Sequence, residues 1–284
     1  MIAITGATGQ LGQRVVEGLL KLMPASGIVA AVRDPAKATA LRYLGVHVRE
    51  ADYDRPETLV AAFQGVEKVL LVSAVIPGQR LRQHMAVIDA AKKAGVKLLA
   101  YTSLLRCDTS QLTLAAEHNA TEIYLKASSL DFVLLRNGWY LENHLGAVPS
   151  ALAQGTLIGC SGGGRFAAAT RADYAAAAVA VLTQPGHTNK TYELANDDAY
   201  SMSDFAALLS AQTGKPIVYA DLPPSDYELI LLGLGLPKMI VDVVIDADLK
   251  APLGELESDS SDLSRLLGRP ATPLSVAVAS ALGA

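Results

Sequence analysis

Three glycines, Gly6, Gly9 and Gly12, stand three residues apart directly behind the short apolar run Ile2–Thr5, and helical spacing begins at about Gln10. In a strand–turn–helix each glycine has a physical task. Gly6 permits the sharp exit from the strand, Gly9 lets backbone approach a pyrophosphate, and Gly12 lets the helix pack tightly on the strand. Amides at the helix start then meet the phosphates, helped by the helix dipole. Thr8, Gln10 and Leu11 complete this turn as candidate cofactor contacts. A bare turn could use the same glycines. What favours a ligand is their place, the first strand–helix junction of the chain.

The spacing is GxxGxxG rather than GxGxxG. It resembles the short-chain dehydrogenase/reductase superfamily, particularly its extended and atypical branches. A dinucleotide-binding fold of this kind usually carries an acidic residue about twenty positions past the glycines, to bind the ribose hydroxyls of NAD. Here the second apolar run, Ile28–Val32, ends at Arg33, whose planar fork matches the oxygens of a 2′-phosphate. NADPH is therefore expected over NADH. Asp34 could argue for NAD, but Asp34-Pro35 reads as a helix start, with Asp as N-cap and Pro in the first position. Lys37, one turn on, adds positive charge. Asp52 and Tyr53, after the third run, are expected to reach the adenine, as the matching position does in the superfamily. Ser73 to Ile76 after the fourth run, and Tyr101, Thr102 and Ser103 at the end of the fifth, should border the cofactor, because ligands sit at the carboxyl ends of such strands.

Most short-chain dehydrogenases pass a proton through a Tyr-x-x-x-Lys pair. None of the ten tyrosines here has a lysine four residues later. Ordinary ketone or nucleotide-sugar chemistry is thus not expected. Asn137-Gly138-Trp139-Tyr140 follows the sixth run, Phe132–Arg136. Asn137 could bond the nicotinamide carboxamide, and Gly138 would allow close approach of the ring. Trp139 and Tyr140 offer flat faces to a conjugated acceptor, with Asn143 one turn later, although a sole tryptophan can equally be core. His118, in AAEHNATEIYL, stands on the helix where the absent pair would be; it could supply a proton or be a buried structural histidine. The other histidines, 47, 84, 144 and 187, have no metal-binding spacing, so no metal is expected. No GxSxG elbow supports a hydrolase.

The elements that must position these residues are visible in the pattern. Apolar runs at Ile2–Thr5, Ile28–Val32, Val46–Arg49, Lys68–Ser73, Lys97–Thr102 and Phe132–Arg136 alternate with helical stripes. Leu11, Val15, Leu19 and Leu22 form one stripe; Met85, Ile88 and Ala91 form another. That alternation predicts α/β architecture, a Rossmann-type doubly wound parallel sheet. Past Arg136 the rhythm changes. GCSGGGR at 159–165 reads as a tight turn or hairpin, 170–182 as an alanine-rich helix, 190–195 as a strand, Ser201 to Leu209 as a capped helix, and KPIVYADL as a strand. Residues 1–136 plus about 166–196 are expected to form the NADP-binding domain. Residues 137–165 plus 197–284 are expected to form a smaller, interleaved α/β substrate domain. With 51% hydrophobic residues and a net charge of −4, a large core is available and nucleic acid is not an expected partner. The longest greasy stretch, LILLGLGLP at 229–237, is too short to span a bilayer, and the first apolar residues read as a strand, not a signal peptide. Two cysteines fifty-three residues apart, Cys107 and Cys160, make no disulfide framework, and a cytoplasmic protein is expected.

MIAITGATGQLGQ, AVRDPAK, KLLAYTSLL, AAEHNATE, LLRNGWYLENH and ATRADYAAAA together resemble the NmrA-like group of atypical short-chain reductases, on the side of its NADPH-dependent quinone and triphenylmethane dye reductases. The resemblance covers nearly the whole chain and implies two domains with a substrate cleft between them. A quinone-like small-molecule acceptor fits the residues: its carbonyls are electrophilic, so the protein must mainly orient two rings. The alternatives are another conjugated acceptor such as a dye, and an NADP(H)-binding redox sensor of the kind found among NmrA-like regulators. A homodimer is left open.

Overall fold

The structure, a computed structural model, describes residues 1–283. Its first half alternates as the apolar runs require: β1 (Ile2–Thr5), α1 (Gln10–Leu20), β2 (Ile28–Val32), α2 (Thr39–Tyr43), β3 (His47–Glu50), α3 (Pro56–Ala62), β4 (Lys68–Leu71), α4 (Arg80–Lys93), β5 (Leu98–Leu104), α5 (Ala115–Ala127) and β6 (Asp131–Asn137). The chain continues through α6 (Leu141–Leu145), α7 (Val148–Gln154), β7 (Thr156–Gly159) and β8 (Arg165–Phe166), then α8 (Arg171–Thr183) and β9 (Lys190–Leu194). The remainder is β10 (Tyr200–Ser201), α9 (Met202–Thr213), β11 (Val218–Asp221), α10 (Pro224–Gly233), α11 (Lys238–Lys250), α12 (Asp262–Leu267) and α13 (Leu274–Leu282).

Two compact units result. The first comprises Met1–Asp108, Ala116–Asn137 and Arg171–Glu193; the second comprises Thr109–Ala115, Gly138–Thr170 and Leu194–Ala284. The first unit is built on a seven-stranded sheet in the order β3-β2-β1-β4-β5-β6-β9. Pairing from β3 through β6 is parallel throughout. Every residue of β1 and β2 is buried, as expected where helices cover both faces of a parallel sheet. Strand order reverses at β1 and β4, which puts the ligand edge at the carboxyl ends of those strands.

Helices close on this sheet through small residues. A Cβ at Gly18 of α1 would lie 2.9 Å from Cγ2 of Val179, so glycine there sets how near α1 comes to the alanine-rich α8. The stripe Leu11, Val15 and Leu19 is buried as its spacing requires. Leu22 is not part of it: α1 ends at Leu20, the chain turns at Lys21, and Leu22 is exposed. The buried face of α4 also differs from the apolar stripe read from sequence. Arg80, Gln83 and His84 are buried beside Val87, Ile88 and Ala91, so its first turns are polar inside the protein.

In the second unit β7 pairs in parallel with β11, and β8 pairs antiparallel with β10. The glycine-rich segment at 159–165 therefore joins strands of two different sheets and is a turn, not a hairpin. Helix α9 carries the capping box its sequence promises, with Ser201 and Asp204 satisfying each other's backbone amides. Both cysteines are buried and free. Among the described residues no helix is long and apolar enough to cross a membrane, and no group of three or more His, Cys, Asp or Glu could hold a metal ion.

Candidate active site

Gly6 leaves β1 with φ +56°, a left-handed conformation that favours glycine. Its carbonyl accepts the Gly9 amide at 2.8 Å and closes the turn. A Cβ at Gly12 would stand 2.4 Å from that carbonyl oxygen and 2.9 Å from Cα of Ala7, so only glycine fits where α1 crosses the turn. Gly6, Thr8, Gly9 and Gln10 are exposed, whereas Leu11 and Gly12 are buried. The N-cap is Gly9, no side chain caps the helix, and no acidic residue sits in its first turn. No capping side chain or acidic residue thus occupies the positive end of this eleven-residue helix, which suits it to a pyrophosphate.

Arg33 is exposed immediately past β2. Asp34 has the structural duty expected of it: its carboxylate accepts the Ala36 amide at 3.0 Å and starts a short 3₁₀ turn at Pro35. Lys37 lies 3.8 Å from Asp34. Asp54 is held below the usual carboxylate range by hydrogen bonds from Arg82 and Gln83, with a smaller contribution from the charge of Arg33. Arg33 therefore shares the rim of the sheet with the β3–α3 connection. On that connection the Asp52 carboxylate accepts the Asp54 amide at 3.0 Å and lies 3.5 Å from Arg55 Nε. The Tyr53 hydroxyl bonds Thr5 and donates to the Val72 carbonyl at 2.9 Å, tying the ends of β1 and β4 together. Burial raises its pKa, so it remains a neutral phenol.

At the ends of β4 and β5, the Ser73 amide donates to Thr102 Oγ1 at 2.9 Å. Tyr101 is fully buried, and its hydroxyl is 2.7 Å from His118 Nδ1. Burial pushes the Tyr101 pKa up and the His118 pKa well down. The pair on β5 and α5 is thus neutral, a weak acid facing a weak base inside the protein. His84 is 5.1 Å from the Tyr101 ring and likewise neutral, pushed down to about 3 by burial and by the charge of Arg80.

Asn137 closes β6 and is buried; its carbonyl accepts the Leu105 amide at 3.0 Å. The residue before it, Arg136, anchors the whole strand end. Its guanidinium grips both oxygens of buried Glu122 at 2.9 and 2.7 Å, and reaches Glu193 at 2.7 Å and Asp108 at 3.0 Å. Burial alone would raise Glu122, but the bonds from Arg136, Ser103 and Cys107 outweigh it and hold the carboxyl below its usual range. The Cys107 thiol is pushed up to about 12 by burial and is not a nucleophile.

Gly138, Trp139 and Tyr140 begin the middle segment of the second unit. The Gly138 amide bonds the Leu194 carbonyl at 2.8 Å, and Trp139 and Tyr140 are half-buried. Behind Trp139 lies an aromatic cluster absent from the sequence reading. His144 Nδ1 is 2.7 Å from the Tyr200 hydroxyl, and its ring meets Phe166 edge-on at 4.6 Å and Trp139 at 6.5 Å. Its members come from four elements or connections, so no spacing could have announced it. Arg80, His84, Glu117 and Glu122 were missed for the same reason.

The turn, the uncapped helix, the basic residue past β2 and the switch in strand order define a dinucleotide-binding α/β protein. The family model of the NmrA-like family matches residues 1–250, and the chain belongs to that family. It is 52% identical over 278 residues to quinone oxidoreductase 2 of Escherichia coli strain K12, covering 98% of this chain and 97% of that one. It is 31% identical to an NAD(P)H azoreductase of Xenophilus azovorans, over 95% of this chain and 94% of the relative. The crystal structure of the E. coli NADPH-dependent quinone oxidoreductase complexed with NADPH matches with a TM-score of 0.95 over 99% of this chain and all of that one. A triphenylmethane reductase of Citrobacter complexed with NADP(H) matches with a TM-score of 0.95 at 36% identity, over 99% of this chain and 100% of that one.

Proposed function

We propose that this chain is an NADPH-dependent reductase that passes hydride directly to a quinone, using neither flavin nor metal. NADPH, when bound, supplies the hydride. The glycine turn and the first amides of α1 hold the pyrophosphate, and Arg33 holds the 2′-phosphate that distinguishes NADPH from NADH. Asn137 bonds the carboxamide, Gly138 leaves room for the ring, and the flat faces of Trp139 and Tyr140 orient the acceptor.

One observation on this chain carries the choice of acceptor. Where a ketone reductase needs a reachable acid, β5 and α5 present Tyr101 and His118, both buried and bonded to each other, with the acidity of the phenol weakened by burial. A quinone tolerates this. Its reduced form is aromatic, so hydride uptake needs no strong acid, and the single proton that completes the hydroquinone can come from water. The likeness to quinone oxidoreductase 2 over nearly the full length supports the same acceptor. The azoreductase and the triphenylmethane reductase favour a second reading within this chemistry, in which other conjugated electrophiles share the site. A cytoplasmic location, supported by two free buried thiols, and the absence of nucleic-acid or membrane partners belong to this proposal.

The test is NADPH absorbance with and without a benzoquinone. Oxidation that requires both protein and quinone is expected. Tight NADPH binding with no oxidation above background would instead make the chain a redox sensor.

A further inference from the structure

The connection between β4 and α4, residues 72–79, lies at the ligand edge of the sheet, yet its backbone is held by side chains from elsewhere. Behind it, the Ala74 amide donates to His84 Nε2 at 2.9 Å, and the Ala74 carbonyl accepts from Arg80 Nε at 3.0 Å. At its far end the Gly78 amide donates to Glu117 Oε1 at 2.9 Å, while Glu117 Oε2 pairs with Arg80 at 2.9 Å. Arg80 and His84 are buried on α4, and Glu117 reaches over from α5. Between these anchor points the loop presents Val75 and Ile76, apolar and exposed at 69% and 44%.

The histidine is fixed in one tautomer. Because the Ala74 amide is a donor, Nε2 must be bare, so the proton sits on Nδ1 and is donated to Thr121 Oγ1 at 3.0 Å. The Thr121 hydroxyl in turn donates to the Glu117 carbonyl at 2.9 Å. The His84 ring packs edge-on against Tyr101 at 5.1 Å, but both of its nitrogens are committed to polar partners, and the Arg80–Glu117 pair spends its remaining bonds on the loop. An arginine and a histidine placed inside a helix face, both aimed at one loop, are an expensive way to hold an ordinary connection.

We propose that His84, Arg80 and Glu117 are positioning residues that clamp the 73–78 loop in the course required to cover the bound dinucleotide. This rests on the proposal that the ends of β4 and β5 border the cofactor. The clamp acts on cofactor binding rather than on the chemical step: it holds the loop in its bound course before NADPH arrives, so binding does not have to order it.

The experiment follows amide exchange across 72–79 with and without NADPH, together with NADPH affinity and steady-state kinetics of His84→Phe and His84→Gln. NADPH should slow exchange in the wild-type loop. His84→Phe keeps a ring but removes the acceptor for Ala74. It should speed loop exchange, weaken NADPH binding about tenfold, in keeping with one buried hydrogen bond, and leave kcat at saturating NADPH within about twofold. His84→Gln, whose amide oxygen can reach the same amide, should recover most of the affinity. If His84→Phe does not fold, Glu117→Ala, which removes the acceptor for Gly78, is held to the same expectations. A protected wild-type loop with unchanged affinity in the folded variant overturns the clamp and leaves the site intact. No NADPH protection of the wild-type loop overturns its place beside the dinucleotide, and the clamp with it.

Discussion

Arg33 and Asn137 carry different parts of the proposed function and should fail differently. Arg33 is exposed and its neighbour Asp34 is engaged as a cap, so the guanidinium is the group at the end of β2 suited to a phosphate. Arg33→Ala should weaken NADPH binding about 10- to 100-fold, the worth of a charge-assisted pair of hydrogen bonds, and leave NADH binding nearly unchanged. Titrations of both cofactors decide it; equal losses would remove the 2′-phosphate from this position. Asn137 is buried at the end of β6, next to Arg136, whose bonds to Glu122 anchor that strand end. Asn137→Ala should therefore lower kcat by about tenfold or more while leaving the melting temperature within a few degrees. A large drop in melting temperature with unaltered turnover would make Asn137 structural only.

Among the elements, α11 carries a carboxylate whose environment sets a pH dependence. Asp248 is buried, and its Oδ2 accepts the Cys160 amide at 3.0 Å. It is pushed up to about 6, chiefly by burial, with bonds from Cys160 opposing and the charge of Asp221 assisting. Its folded pKa thus lies above its unfolded one. The native state holds a proton that the unfolded chain releases, so this stabilisation is complete below about pH 4 and is lost as pH rises through about 6. Asp248→Asn imitates the protonated acid. In denaturant titrations it should remove the fall in stability between about pH 4 and 6 and leave the variant more stable at neutral pH, by roughly 2–3 kcal/mol at most. A variant less stable than wild type at neutral pH would mean that Asp248 is needed as an ionised acceptor.

Over the whole molecule, what could be read from the sequence was what local periodicity encodes. β1, β2 and β6 appear as apolar runs and α1 as an apolar stripe, and the glycine turn is legible because the left-handed backbone at Gly6 favours glycine and the close crossing at Gly12 leaves no room for a Cβ. Asp34 was legible as a cap because the bond it makes is local. Tyr53 was placed just past the third strand, where it lies; Tyr101, read at the end of the fifth strand, is in the middle of β5, which runs on to Leu104; neither side-chain direction was available from sequence. Tyr101 turns inward to His118, and Tyr53 ties β1 to β4. Polar residues on the buried face of α4, and the Arg136 network joining β5, α5, β6 and β9, come from long-range pairing that no spacing records. Even the stripe on α1 stopped one turn early, because the turn at Lys21 carries Leu22 to the surface.

The central claim is that hydride moves from NADPH to the quinone with no carrier between them. Single-turnover oxidation of NADPH by a benzoquinone, with deuterium placed on one face or the other of nicotinamide C4 and the purified protein checked for flavin absorbance, tests it most directly. Slower turnover for one face only, in flavin-free protein, is the predicted result; no isotope effect on either face, or turnover that appears only when flavin is bound, would contradict it.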